Sequence, residues 1–183
     1  FVPMRGWEGY YSLELSTSSP AAWSLKYLLQ LSVRYGNLAE TSDVSMAYPH
    51  AKLKRPILAM YPNGYQGEAN NGKFPIYLLI HHAIYGLPPS GALYQSFRND
   101  KIHNNFAFTD PDGNRFFLQL SAYMSDVFYN AKYPNILLYI VVTDDFSYTG
   151  PEWFTKQMKK NLDANFSKVK HHGIMTRFIG FNT

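Results

Sequence analysis

The sequence predicts an α+β fold, in preference to a doubly wound parallel sheet, because strands and helices alternate irregularly with hairpins between them. Three observations carry this. Residues 136–142, Ile-Leu-Leu-Tyr-Ile-Val-Val, form an unbroken apolar run of strand length. Phe154, Met158, Leu162 and Phe166 recur at helical spacing. Turn signals at Asn63-Gly64, Asn71-Gly72 and Asp110-Pro111-Asp112-Gly113 break the chain into short pieces.

A chain of 183 residues is long enough to bury a substantial core, and one domain is the default. Hydrophobic residues at 46% against 16% charged exclude a disordered chain. No apolar run approaches the roughly 20 residues of a membrane-spanning helix. The opening residues do not read as a secretory signal, since no cationic stretch precedes an apolar one. With no cysteine, disulfides and thiolate metal sites are excluded and the compartment is left open. A formal charge of +4 favours polyanionic partners, and six basic residues from Lys156 to Arg177 stand against Asp163 alone. That cluster reads equally as a solvated helix face or a phosphate-tracking surface. Of the 15 Tyr and 13 Phe, most belong in the core, with some available to stack on bases.

Taken in order, residues 1–15 read as extended. Ser18 or Ser19 caps a helix that carries Pro20 in its first turn, runs through Trp23, Tyr27, Leu28 and Leu31, and stops at Gly36. A short strand bears Asp43, and Pro49 limits residues 45–52 to a turn of helix at most. Residues 57–61 and 76–82 are strand candidates. A helix with Leu93, Phe97, Ile102 and Phe106 inward follows Gly86. The Asp110 to Gly113 segment is a turn; the remaining ligands of a calcium loop are missing. Residues 116–124 and 135–142 are strands, and the last helix has Thr149 as its N-cap and Pro151 at its start.

The run at 136–142 leads into Asp144 and Asp145, at or beside the tip of a hairpin. Adjacent carboxylates repel, and an oxygen-loving cation such as Mg²⁺ relieves that repulsion. Alone, the pair reads first as an ordinary Asp-rich turn. A third aspartate, in Thr41-Ser42-Asp43-Val44-Ser45-Met46-Ala47-Tyr48, changes that balance.

Together with Ala83-Ile84-Tyr85-Gly86-Leu87-Pro88-Pro89-Ser90-Gly91-Ala92-Leu93-Tyr94, these segments resemble the reverse transcriptases of copia-type LTR retrotransposons. That family has an Asp-Val/Ile-x-x-Ala-Phe/Tyr segment, a Leu-Tyr-Gly-Leu-Lys-Gln segment and a Tyr/Phe-Val-Asp-Asp hairpin, in that order. Phe1-Val2-Pro3-Met4-Arg5-Gly6 looks like its Phe-Val-Ala-Arg-Gly, and residues 173–180 look like its Gly-Glu-Leu-Lys-Tyr-Phe-Leu-Gly. The resemblance spans essentially the whole chain.

The resemblance implies an RNA-directed DNA polymerase fragment, part of a longer polyprotein with thumb, RNase H and integrase outside it. It implies a palm (about 41–52 and 86–183) with partial fingers (about 1–40 and 53–85), the whole of 1–183 being one reverse transcriptase unit. Asp43, Asp144, Asp145 and the Val44 carbonyl would hold two Mg²⁺ or Mn²⁺ ions. Lys170 would protonate departing pyrophosphate, Arg5 would clamp the triphosphate, Tyr48 would lie under the sugar and Gly86 would let backbone approach the nucleotide. Partners would be an RNA or DNA template-primer and deoxynucleoside triphosphates, with no membrane, in a cytoplasmic virus-like particle. Departures from the family pattern are Pro88-Pro89 in place of Lys-Gln, Val142-Thr143 in place of an aromatic and Val, and His81-His82 in place of Lys-Lys. The alternative is an inactive or repurposed copy that keeps the palm as a nucleic-acid-binding or structural module.

Overall fold

In the computed structural model, the residues described are 22–60, 77–140, 143–175, 177–178 and 181–182. The expected caps at Ser18 and Ser19 and the extended start therefore lie outside them, as do Arg5 and Val142. Helix α1 (Ala22–Tyr35) turns Leu28 and Leu31 inward, and the chain reverses at Gly36 into strand β1 (Leu38–Val44). The boundary expected near residue 40 falls inside this strand. Pro49 allows only a single 3-10 turn, Tyr48–His50. Strands β2 (Lys52–Met60) and β3 (Tyr77–His82) form a separate antiparallel hairpin, and β2 starts earlier than residue 57.

Helix α2 (Ser90–Asn105) differs from expectation in its inner face. Its buried line is Ser90, Tyr94, Arg98 and Ile102, while Leu93 and Phe97 are only partly covered. Residues 116–124 are not one strand. Strand β4 (Ala107–Thr109) pairs with β5 (Arg115–Phe117), and the chain then crosses through the fully buried Leu118 to β6 (Gln119–Leu120), which pairs with β7 (Val127–Tyr129). The apolar run thus serves two sheets in succession.

Strand β8 (Leu137–Ile140) and strand β9 (Asp145–Gly150) complete the hairpin that the aspartates were expected to close. Thr149 lies within β9, so it does not cap helix α3 (Glu152–Asn165). Extended Pro151 takes that position without a side-chain cap, and a ring with no N–H suits the uncapped first turn. Strand β10 (Val169–Ile174) returns to β1, and the short β11 (Arg177–Phe178) and β12 (Phe181–Asn182) pair with each other. The main sheet has the order β10-β1-β9-β8-β7-β6, with every pair antiparallel.

Both faces of the sheet are covered around β8. Leu138 and Ile140 join the core with Phe154, Met158, Leu162 and Phe166 of the α3 stripe, while Leu137 and Tyr139 join Leu28 and Leu31 of α1. Strands covered on both sides read as continuous apolar runs, which is why residues 136–140 show no alternation. The α+β class is the fold observed.

Gly150 marks the tightest approach of α3 to the sheet. A Cβ there would lie 2.6 Å from Phe154 Cδ1 and 3.3 Å from Ile136 Cγ1. Gly150→Ala is expected to destabilise the fold by about 1–3 kcal/mol, as overpacking of a filled core does. Urea unfolding measures this, and an unchanged midpoint would show that the Phe154 ring yields freely.

Candidate functional site

Asp43 and Asp145 are direct partners in the antiparallel register of β1 and β9. Directly paired residues point to the same face of a sheet with Cβ atoms about 5 Å apart. Asp144 occupies the turn just before β9, and its carbonyl receives the Val44 N–H at 3.0 Å. On the other flank of β1, Asp43 pairs with Lys170 of β10. Asp145, Asp43 and Lys170 therefore form a row across three strands, with Lys170 exposed and the carboxylates half-buried. Backbone pairing sets this proximity, so it holds whatever rotamers the side chains adopt.

The carboxyls feel one another. Burial, then the charges of Asp144 and Asp43, push the Asp145 carboxyl up to about 6, while exposed His172 pulls it back. Burial also raises Asp144, with Asp43 adding to it against the opposing pull of a hydrogen bond from backbone. Among the described residues, no group of three or more His, Asp or Glu is gathered to hold a metal ion. The donor chemistry nevertheless fits a hard cation: Asp43 raises the proton affinity of both Asp144 and Asp145, and carboxylate oxygens set this close are the ligands Mg²⁺ or Mn²⁺ takes. The Val44 side chain is wholly buried in the core, so only its backbone remains for a ligand role.

Tyr48 opens the 3-10 turn that follows β1 and sits in an aromatic group. Its ring meets Tyr85 edge-on at 4.5 Å and Tyr94 at 6.1 Å. Burial and the Asp144 charge raise the exposed Tyr85 phenol; burial, then the same carboxylate, raise Tyr94 against the pull of Arg98. Both tyrosines thus border the carboxylates. Neither was singled out from sequence as a site residue, although both lie in the segment that carried the resemblance. Gly86 has φ +86°, and a Cβ there would touch nothing within 4 Å. Its glycine answers a backbone need and leaves open space beside Tyr85.

The basic cluster is partly consumed internally. Lys156 pairs with Glu152 at 2.7 Å and Lys159 contacts Glu40, while Lys160, Lys168 and Lys170 are exposed. The exposed His81 and His82 are adjacent strand residues and project to opposite faces.

The raised Asp145 carboxyl has a stability consequence. Its protonated form is favoured by the fold, so this contribution is complete below about pH 4 and is lost as pH rises through about 6. Asp145→Asn removes the ionised form. At pH 7 the variant should be more stable by about 1 kcal/mol, since partial exposure screens the effect, and at pH 4 the two should match. Urea unfolding at both pH values checks this; equal stabilities at pH 7 would contradict it.

Comparison of the chain with protein-family models, curated proteins and solved structures returns no match in any of the three.

Proposed function

We propose that this chain is the palm, with part of the fingers, of an RNA-directed DNA polymerase of the copia-type retrotransposon class. The observation that supports it is the register that makes Asp43 the partner of Asp145, with Asp144 bonded through its carbonyl to Val44. Asp43, Asp144, Asp145 and the Val44 carbonyl would hold two Mg²⁺ or Mn²⁺ ions. When bound, such a pair supplies positive charge to both the attacking and the leaving oxygen of an in-line phosphoryl transfer. The substrates are deoxynucleoside triphosphates and a template-primer, and the setting is a retrotransposon particle with thumb, RNase H and integrase from the same polyprotein.

The chain's own residues have separable tasks. Asp43 and Asp145, from paired strands, and Asp144, from the turn before β9, fix where the phosphates sit. Tyr48, braced by Tyr85 and Tyr94, fills the space a ribose 2′-hydroxyl would occupy. Gly86 admits backbone to the nucleotide, and Arg5 clamps the triphosphate with its guanidinium fork. Lys170, beside Asp43 in the row, delivers a proton to pyrophosphate.

A second reading keeps the fold without the chemistry. It is favoured by the absence of a gathered three-ligand group among the described residues and by Pro88-Pro89 ahead of α2. On that reading the chain binds nucleic acid through phosphate contacts that weaken as salt rises, with no dependence on divalent ions.

Titration with deoxythymidine triphosphate and uridine triphosphate in Mg²⁺ separates the two. The polymerase reading expects Mg²⁺-dependent binding that Asp144→Asn weakens at least about tenfold, as lost charged contacts do. Extension of a primer on an RNA template, by the chain joined to a thumb, should vanish in the same variant. Tyr48→Val should narrow the preference for the deoxy form by roughly tenfold. Were Tyr48 only a packing residue, the substitution would cost about 3 kcal/mol of stability and leave selectivity untouched.

A further inference from the structure

Arg98 is the charged member of the buried line of α2, only 2% exposed. Each of its nitrogens has an acceptor. Nη1 donates to the Thr143 carbonyl at 3.3 Å, Nη2 to Asp126 Oδ1 at 3.2 Å and to Asn99 Oδ1 at 3.1 Å, and Nε to Asn99 Oδ1 at 3.2 Å. The backbone carbonyl of Asp126 in turn receives the Ile140 N–H at 2.9 Å. The pair therefore grips the end of β8 through Asp126 and the residue before Asp144 through Arg98.

Thr143 needs such a grip. Its φ of +25° is a rare conformation for a β-branched residue, and one that persists only where surrounding structure imposes it. The very next carbonyl, that of Asp144, bonds Val44 in β1. Arg98 and Val44 thus hold consecutive carbonyls of one turn, from the helix and from the neighbouring strand.

We infer that Arg98 is a positioning residue, which fixes through the Thr143 carbonyl and the Asp126 ion pair the turn that presents Asp144 and Asp145 to a divalent cation. The cation half of this inference rests on the proposed function; the turn-holding half stands on the hydrogen bonds alone. A guanidinium is suited to the task because its fork reaches two acceptors in different directions, which a single ammonium nitrogen cannot do with the same geometry.

Two variants test it in the 183-residue chain. Arg98→Lys keeps a charge for Asp126 and gives up the span to Thr143. Arg98→Met with Asp126→Leu removes both charges, so neither is left buried and unpaired. Amide hydrogen exchange is read at Val44, which bonds Asp144, and at Met175, which bonds Ala39 at the far end of β1. Exchange at Val44 should accelerate at least about tenfold relative to Met175 in both variants, and Mn²⁺ affinity by calorimetry should fall about tenfold, as it does when residues supporting metal ligands are lost. A merely structural role would move both amides by one common factor, and that result, or unchanged Val44 protection, overturns the inference. If the wild-type chain takes up no Mn²⁺, the polymerase reading falls, and Arg98 is judged on Val44 exchange alone.

Discussion

Two carboxylates face each other across a backbone-paired register, and much of the molecule is arranged around that unfavourable contact. Like charges directly opposite on a sheet are destabilising, so Asp43 and Asp145 would separate if the strands were free to slip. They are not free. Slipping β1 by one residue would turn Val44 and Ser42 out of the interior and bring Asp43 in, at a cost far above the repulsion between two half-solvated carboxylates. The hydrophobic pattern thus sets the register, and the register sets the charge cluster.

The same reasoning explains why the cluster lies at the strand ends. Further along β9, Phe146 and Tyr148 are buried with α3. On the other face α1 lies over Ala39, Leu137 and Tyr139. A carboxylate among these groups would lose its hydration without a partner, which costs several kcal/mol. At the end of β1 and the start of β9 the covering helices give way to the Tyr48, Tyr85 and Tyr94 group, and the charges keep partial access to water.

Legibility in the sequence followed the strength of the local pattern. The α3 stripe of Phe154, Met158, Leu162 and Phe166 is apolar throughout, and every member is buried. The Asp144-Asp145 turn was legible because a long apolar run ends there. In α2 apolar spacing favours Leu93 and Phe97 for the inner face, which Tyr94 and Arg98 occupy. Hydrophobicity ranks arginine outside, whereas the deciding factor was a non-local acceptor pair, Asp126 and the Thr143 carbonyl. Threonine is a good capping residue and Pro151 a good first-turn residue, so the sequence favours Thr149 as the N-cap, but pairing with Ala39 keeps it in β9. Residues 116–124 looked like one strand because composition does not reveal which sheet each half joins. Among the site residues, Asp43, Asp144, Asp145 and Lys170 are brought into one region by register, a relation no single segment contains.

The opposite face of the same strands shows how a familiar side-chain set can have a different job. Tyr148 Oη lies 2.9 Å from Ser42 Oγ, which lies 2.8 Å from His171 Nδ1, and His171 Nε2 lies 3.1 Å from Asp163 Oδ1. Serine, histidine and aspartate in that order resemble a nucleophile with its base and orienting acid. Yet Ser42 is 1% exposed and closed over by core, so no substrate carbonyl reaches its oxygen. The chain of polar contacts satisfies buried hydroxyls and joins β9, β1, β10 and α3. Because β10 alternates, anchoring His171 on the inner face commits Lys170 to the face that carries Asp43. The polar network beneath the sheet thereby contributes to the charge pattern above it.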